Sequence, residues 1–445
     1  MKIKKYVMYP AAYLGIAVLM QSLVSWHAYF YAPPINNPYG LTSLVPIGLV
    51  GWAMIIGRVI DAVADPLVAY FSDNCRSKWG RRKPFLLFGG VPLVLSYILL
   101  WFPIHLYESM VNFLYLTIIL GLYFIFFTVY VGPYLALLPQ IGKTPNERAA
   151  ISTYQSVFNT VGLLLQGVAV SILIINFGVQ IMGIILGVLS LFTLVLPLSI
   201  KEDQIKESRV QYNLKDSFLL TLKNKQFRYY GISYLFFWFA LNMLTISLPY
   251  IATELMLLDG METALLQGIV FLNAILISPL ILFLIYKKGK KLVYCYSMII
   301  MAVLLVFLFF VGKPYLIFNA KWFGFVLIGM MGFPLASIFI IPNAMIADIT
   351  DIDEAQNGQR REAMFYGVQG FVIKIIIGLS SLFTTRFLFH YFGYNHGDSL
   401  GLELVGFIST ILMLAGLCFL KHYTLTEDQV KTIQVKLGQQ PTSLT

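Results

Sequence analysis

Five charged side chains stand inside otherwise apolar runs of this 445-residue chain: Arg58, Asp61, Asp65, Lys374 and Arg386. A charge at the centre of a bilayer costs at least about 2.5–3.5 kcal/mol on insertion scales, so each calls for a partner or a task. Three of them share one stretch, Gly57-Arg58-Val59-Ile60-Asp61-Ala62-Val63-Ala64-Asp65-Pro66. The i, i+3, i+7 spacing puts all three on one face of a helix. Two carboxylates a turn apart in a low dielectric repel each other until a cation, a proton or a base relieves them. Carboxylate, hydroxyl and carbonyl oxygens suit a hard cation such as Na+ or H3O+, not a soft metal. Pro66 withholds a helix donor and so frees a carbonyl nearby. The chemistry implied is reversible capture of a monovalent cation. The competing reading is a structural ion pair of Arg58 with one aspartate, which leaves the second acid unserved.

Lys374 sits in Gly370-Phe371-Val372-Ile373-Lys374-Ile375 and must face the protein interior. It is either a counter-charge for the acids or a contact for a substrate. Arg386 stands near a helix end, where its side chain can snorkel to the headgroups, and takes no role here. Gln21, His27, Gln155, Asn159, Asn242 and Gln369 are polar positions at mid-membrane depth. Interhelical hydrogen bonding is the commoner use of such residues and ligand contact the alternative. With 27 tyrosines in the chain, no single one is informative.

Long apolar elements must position these groups. Hydrophobic residues make up 58% of the chain and charged residues only 12%, against roughly 25% charged in a soluble domain. Mean hydropathy is +0.78. A soluble enzyme, a disordered chain and an alternating-strand barrel are all excluded. Twelve apolar segments can be drawn, near 10–31, 41–71, 85–103, 112–138, 150–175, 181–200, 229–253, 264–286, 292–311, 322–347, 363–389 and 400–420. The fold class expected is therefore an all-α polytopic membrane protein. With the N-terminus inside, 26 of the 31 basic residues fall in inner loops and only Lys313 and Lys321 in outer ones. That asymmetry places both termini in the cytoplasm and the protein in the plasma (inner) membrane as a multi-pass chain. The net charge of +10 is thus a topology signal and not a nucleic-acid surface. Lys2, Lys4 and Lys5 before an apolar run mimic a signal peptide, but the run is too long and lacks a small-residue cleavage pattern. Cys75, Cys295 and Cys418 all fall on the cytoplasmic side, with no disulfide or metal spacing.

The polar stretch 201–228 divides the chain into two sets of six helices, 1–200 and 229–420, with a cytoplasmic tail over 421–445. Arg148, Ala150 and Phe158 after helix 4 are echoed by Arg361, Ala363 and Phe371 after helix 10, at a constant offset of 213. Two six-helix bundles describe the major facilitator fold, with binding expected near the midplane. No Walker loop, nucleophile elbow or His-Glu-x-x-His is present, so neither an ATP-driven pump nor a hydrolase is indicated and the protein is not read as an enzyme. The loop after helix 2, with Asp73, Arg81 and Arg82, fixes topology. It can also form inner-face ion pairs with Asp348, Asp351 and Arg361 after helix 10, as a cytoplasmic gate that breaks when the halves rock.

Asp61-x3-Asp65-Pro66, Ser72-Asp73 and Arg76-Ser77-Lys78-Trp79-Gly80-Arg81-Arg82-Lys83-Pro84 together resemble the glycoside–pentoside–hexuronide:cation symporter family. Ala347-Asp348-x2-Asp351, Arg361-Glu362, Gln369 and Lys374 resemble that family's helix 10–11 signature, so the likeness spans the chain. The resemblance implies Na+-, Li+- or H+-coupled symport by alternating access, with no cofactor beyond the coupling ion. It implies a cation site at Asp61 and Asp65 with Thr128 as hydroxyl ligand, and Arg58 and Lys374 as charge partners. Gln369, Lys374 and Phe339 match positions that line the family's sugar pocket, joining Gln21, His27, Gln155 and Asn159 as substrate-binding candidates. Two departures matter. Ala64 replaces an asparagine ligand of the melibiose-transporting member, which leaves Na+ against H+ open. Ala17, Val131 and Ser156 stand where that member holds its galactoside with two acids and an arginine. The function expected is cation-coupled symport of a neutral saccharide or glycoside. Because relatives of the family include a lysophospholipid transporter and sucrose–proton symporters, an amphiphile such as a lysolipid is the alternative. A non-transporting sensor has no domain after helix 12 to support it.

Overall fold

The computed structural model describes residues 4–75, 77–142, 145–200, 220–313, 319–357 and 362–436. The described residues are helical, apart from loops and one isolated bridge between Asn395 and Asp398. Among the described residues, eleven helices are long and apolar enough to cross a membrane, and Lys83–Leu99 is a shorter apolar twelfth. They are α1 (Ala12–Tyr31), α2 (Ile47–Asn74), α3 (Lys83–Leu99), α4 (Met110–Ala136), α5 (Pro145–Phe177), α6 (Val179–Val195), α7 (Lys225–Tyr250), α8 (Gly260–Lys288), α9 (Lys290–Leu308), α10 (Gly332–Asn357), α11 (Glu362–Leu382) and α12 (Leu400–Lys421). A helix Ala320–Met330 precedes α10 in the same span, a π-helical stretch Phe383–Phe389 continues α11, and a short helix α13 (Glu427–Lys436) follows α12. The twelve segments drawn from hydropathy each find their helix, and the chain is a multi-pass integral membrane protein.

The boundary that moved most is at α10. The acids expected after the tenth helix lie within its last turns, where Asp348, Asp351 and Asp353 are buried. No breaker interrupts Asp-Ile-Asp-Glu-Ala before Gly358, so the helix runs past the apolar segment.

By packing, the described chain forms two compact units. The first comprises 1–208, 245–271 and 381–402, and the second 209–244, 272–380 and 403–445. These units group residues by contact, whereas the division into 1–200 and 229–420 follows chain order. In the first unit α1 packs on α5 and α6, and α4 on α2 and α3. Small residues let the backbones approach: a methyl group at Gly162 of α5 would lie 2.7 Å from the Leu14 carbonyl oxygen and 2.9 Å from the Ala17 methyl of α1. Close helix contact through glycine is the membrane substitute for hydrophobic association, which lipid cannot drive.

The outer end of this unit, named from the charge asymmetry, is closed by aromatic rings. Trp26 meets Tyr29 and Tyr39 at 5.5 and 5.4 Å between centroids, and Tyr29 meets Tyr250 at 4.8 Å. Their hydroxyls are used: Tyr29 donates to Thr253 Oγ1 (3.1 Å), Tyr250 to the Ala32 carbonyl (3.0 Å) and Tyr39 to Ser171 Oγ (3.3 Å). Burial pushes the Tyr39 phenol up to about 12, so it stays a neutral donor at physiological pH. Outside the rings, His396 N–H donates to Glu254 Oε2 (2.7 Å) and Ile35 N–H to Asn395 Oδ1 (2.9 Å).

The second unit is tied by polar side chains between helices. Asn242 of α7 donates to Ser380 Oγ (2.6 Å) and to the Ile377 carbonyl (3.2 Å) of α11. Ser297 of α9 donates to Ser337 of α10 (2.6 Å). At its inner end Lys290 holds Asp348 (2.5 Å) and Glu427 of α13 (3.4 Å), while Lys291 donates to the Tyr423 carbonyl. The tail thus docks on the start of α9.

Candidate functional site

α2 and α4 bring the expected cation ligands together. Thr128 Oγ1 lies 2.6 Å from Asp61 Oδ1 and 3.0 Å from Asp65 Oδ1. Asp61 is fully buried and Asp65 half-buried. Phe124 of α4 lies against Gly57 of α2, where an added methyl would come 2.9 Å from its ring, and this close packing holds Thr128 one turn further along α4 within reach of both acids. A hydroxyl carries a single hydrogen, so it donates to one acid at a time. Its approach to both acids gathers hydroxyl and carboxylate oxygens, the donor types that suit a proton or a hard cation.

Arg58 is buried beside them. Its Nη1 donates to Asp61 Oδ2 at 3.2 Å, its Nη2 lies 3.3 Å from Met20 Sδ, and its Cζ sits 4.1 Å from the Phe124 ring centroid. The guanidinium is thus fixed by an ion pair and a cation–π contact. The structural pair and the two-acid cluster that the sequence offered as competing readings are both present: one base serves Asp61, and Thr128 bridges to Asp65.

The other candidates divide between the units. In the first, Gln21 donates to Ser25 Oγ (3.2 Å), and His27 Nδ1 donates to the Leu23 carbonyl (2.8 Å) while its Nε2 has no partner. Gln155 donates to Tyr134 OH (2.9 Å), and Asn159 is half-buried on α5. In the second unit, Gln369 is buried with Oε1 unpartnered, beside Tyr234, Phe227 and Val372 around a cavity of about 100 Å³. Lys374 is half-buried and Phe339 is exposed. Of the gate candidates, Arg82 and Asp351 are buried, Arg81 is half-buried, and Asp348 pairs with Lys290 of its own half. Arg361 and the Asp73 side chain lie outside the described residues. Three buried glutamines went unnoticed in the sequence: Gln140, and within the apolar runs Gln166 of α5 and Gln267 of α8. The same signal that picked out Gln155, an amide within an apolar run, marks Gln166 and Gln267.

Residues 8–425 match the family described as MFS/sugar transport protein. The chain belongs to this family. It is a major facilitator superfamily protein of the symporter group that its helix 2 and helix 10–11 motifs resemble. The chain is 23% identical over 416 residues to the inner membrane symporter YicJ of Escherichia coli, spanning 89% of this chain and 88% of that one. Lactose permease of Lactobacillus delbrueckii is 24% identical over 348 residues, 74% of this chain and 54% of the permease. The 32% identity to a Synechocystis symporter covers only 126 residues, 23% of that protein. Among solved structures, the nucleoside transporter NupG superposes with TM-score 0.66 at 13% identity, covering 95% of this chain and all of that one. A bacterial homologue of the lysosomal transporter Spinster gives 0.67 at 11%, covering 94% and 97%. At such identities these structures establish the fold alone.

Proposed function

We propose that the protein is a cation-coupled symporter of a neutral saccharide or glycoside, working by alternating access with Na+ or H+ as the coupling ion. The observation that carries this reading is the Thr128 hydroxyl within 2.6 and 3.0 Å of two carboxylates. A membrane-embedded acid pair with a shared hydroxyl has hard-cation chemistry. The sugar class is drawn from the family and from relatives such as lactose permease. Coupling requires that the loaded cation favour the state that binds substrate, a differential affinity of the two states. Gln21, His27, Gln155 and Asn159, with Phe339, Gln369 and Lys374, are the proposed substrate contacts. Lys290 competes for Asp348, so any inner gate between the two halves would exchange that partner for a base of the first half.

The test is accumulation in proteoliposomes. Asp61→Asn and Asp65→Asn should each abolish accumulation driven by a Na+ or H+ gradient. Uphill uptake by either variant would overturn the cation-site assignment. A thermal shift with lysolipid and none with any glycoside, in NaCl and choline chloride alike, would replace the saccharide with an amphiphile.

A further inference from the structure

Beneath the outer aromatic rings, three helices of the first unit bring glutamines to one level. The α1–α5 crossing is marked by Ala17 and Gly162. One turn further out on each helix stand Gln21 and Gln166. Gly167 packs on α8, where an added methyl would lie 3.3 Å from the Gln267 carbonyl oxygen. Gln166 is 1% exposed and Gln267 2%. Yet Gln166 Oε1 and Gln267 Nε2 have no hydrogen-bond partner, and neither has the buried indole Nε1 of Trp26.

A buried amide atom without a partner costs about 1–3 kcal/mol, and leucine would fill the same volume without that cost. Each such group calls for an explanation. The orphaned set is one carbonyl acceptor, one amide donor and one indole donor. Neighbouring sugar hydroxyls, each of which donates and accepts, complement that set, and an indole adds a flat apolar face. We infer that Gln166 and Gln267, with Trp26, form an outer saccharide subsite, shut in this structure by Tyr29, Tyr39 and Tyr250. It is entered from the outer side when the Tyr250 hydroxyl leaves Ala32. The ligand class rests on the symporter reading above, while the exposure of the glutamines does not.

Two experiments separate these. In the first, Gln267→Cys is placed in a chain whose Cys75, Cys295 and Cys418 are serine, in right-side-out vesicles. A membrane-impermeant methanethiosulfonate reagent should label it, several-fold faster when Tyr250→Ala is added. Absence of labelling in both would overturn the subsite. In the second, purified Gln166→Leu and Gln267→Leu are compared with the parent in thermal unfolding, with lactose and sucrose as probes. Expected are midpoints without sugar equal to or above the parent, and at least tenfold more sugar needed for the same shift. Lower midpoints with an undiminished sugar shift would make the glutamines structural and end the proposal. Labelling without a sugar shift in the parent would instead remove the saccharide reading, and the ligand class of the subsite with it.

Discussion

Thr128→Val is the sharpest probe of the cation site, because valine keeps the shape of threonine and removes only the hydroxyl. That hydroxyl is buried, at 4% exposure, and reaches Asp61 Oδ1 at 2.6 Å and Asp65 Oδ1 at 3.0 Å. A hydrogen bond to a charged group contributes about 1.5–3 kcal/mol. At about 1.4 kcal/mol per decade, losing an Na+ ligand of that worth raises the half-saturating Na+ concentration roughly ten- to a hundredfold. Losing a hydrogen bond donated to a carboxylate instead raises its proton affinity and lowers the half-saturating proton concentration. Substrate affinity at saturating cation should change little, since Thr128 is proposed as a cation ligand and not as a substrate contact. The assay is substrate uptake into proteoliposomes as a function of Na+ at fixed pH, and of pH without Na+. Thr128→Ser restores the oxygen and should return the dependence to within a few-fold of the parent. A shift below twofold in both series for Thr128→Val would refute the reasoning, and so would a serine variant as impaired as the valine one.

Arg58→Met strips Asp61 of its buried partner, and breaking such a pair by removing one member costs roughly 3–5 kcal/mol. The unfolding midpoint in detergent should fall clearly, and an unchanged midpoint would mean the ion pair at 3.2 Å contributes nothing. Gly162→Val puts side-chain atoms within 3 Å of Leu14 and Ala17, and overpacking of this kind costs about 1–3 kcal/mol. Reduced stability and lost transport together are expected, and full transport at parental stability would show that α1 and α5 can separate freely.

The helices and the acid face were legible in the sequence for a simple reason. Hydropathy and a 3.6-residue period are local properties, and a bilayer enforces both without help from neighbours. Arg58, Asp61 and Asp65 had to share a face of α2 whatever else the fold did. The partner on α4 was reached only through a family resemblance, because an apolar run such as α4 gives no local reason to prefer Thr128 over Thr117. The gate acids show the opposite limit. Asp348 was expected to look across to bases of the first half, but Lys290, 58 residues away in sequence, reaches it first. Charge counting gives which side a residue lies on, not which of many bases is nearest.

What the sequence alone determined is the membrane class, the twelve helices, the charge asymmetry and the presence of two acids too close together to go unserved. Tertiary structure decided that the Thr128 hydroxyl lies within reach of both acids and that Arg58 is held by Asp61 and Phe124. It also decided that Trp26, Tyr29, Tyr39 and Tyr250 meet ring to ring and that Gln166 and Gln267 are each buried with one unpartnered amide atom. Each of these is a relation between helices, fixed by where small residues let backbones approach, and a one-dimensional pattern carries no term for that distance.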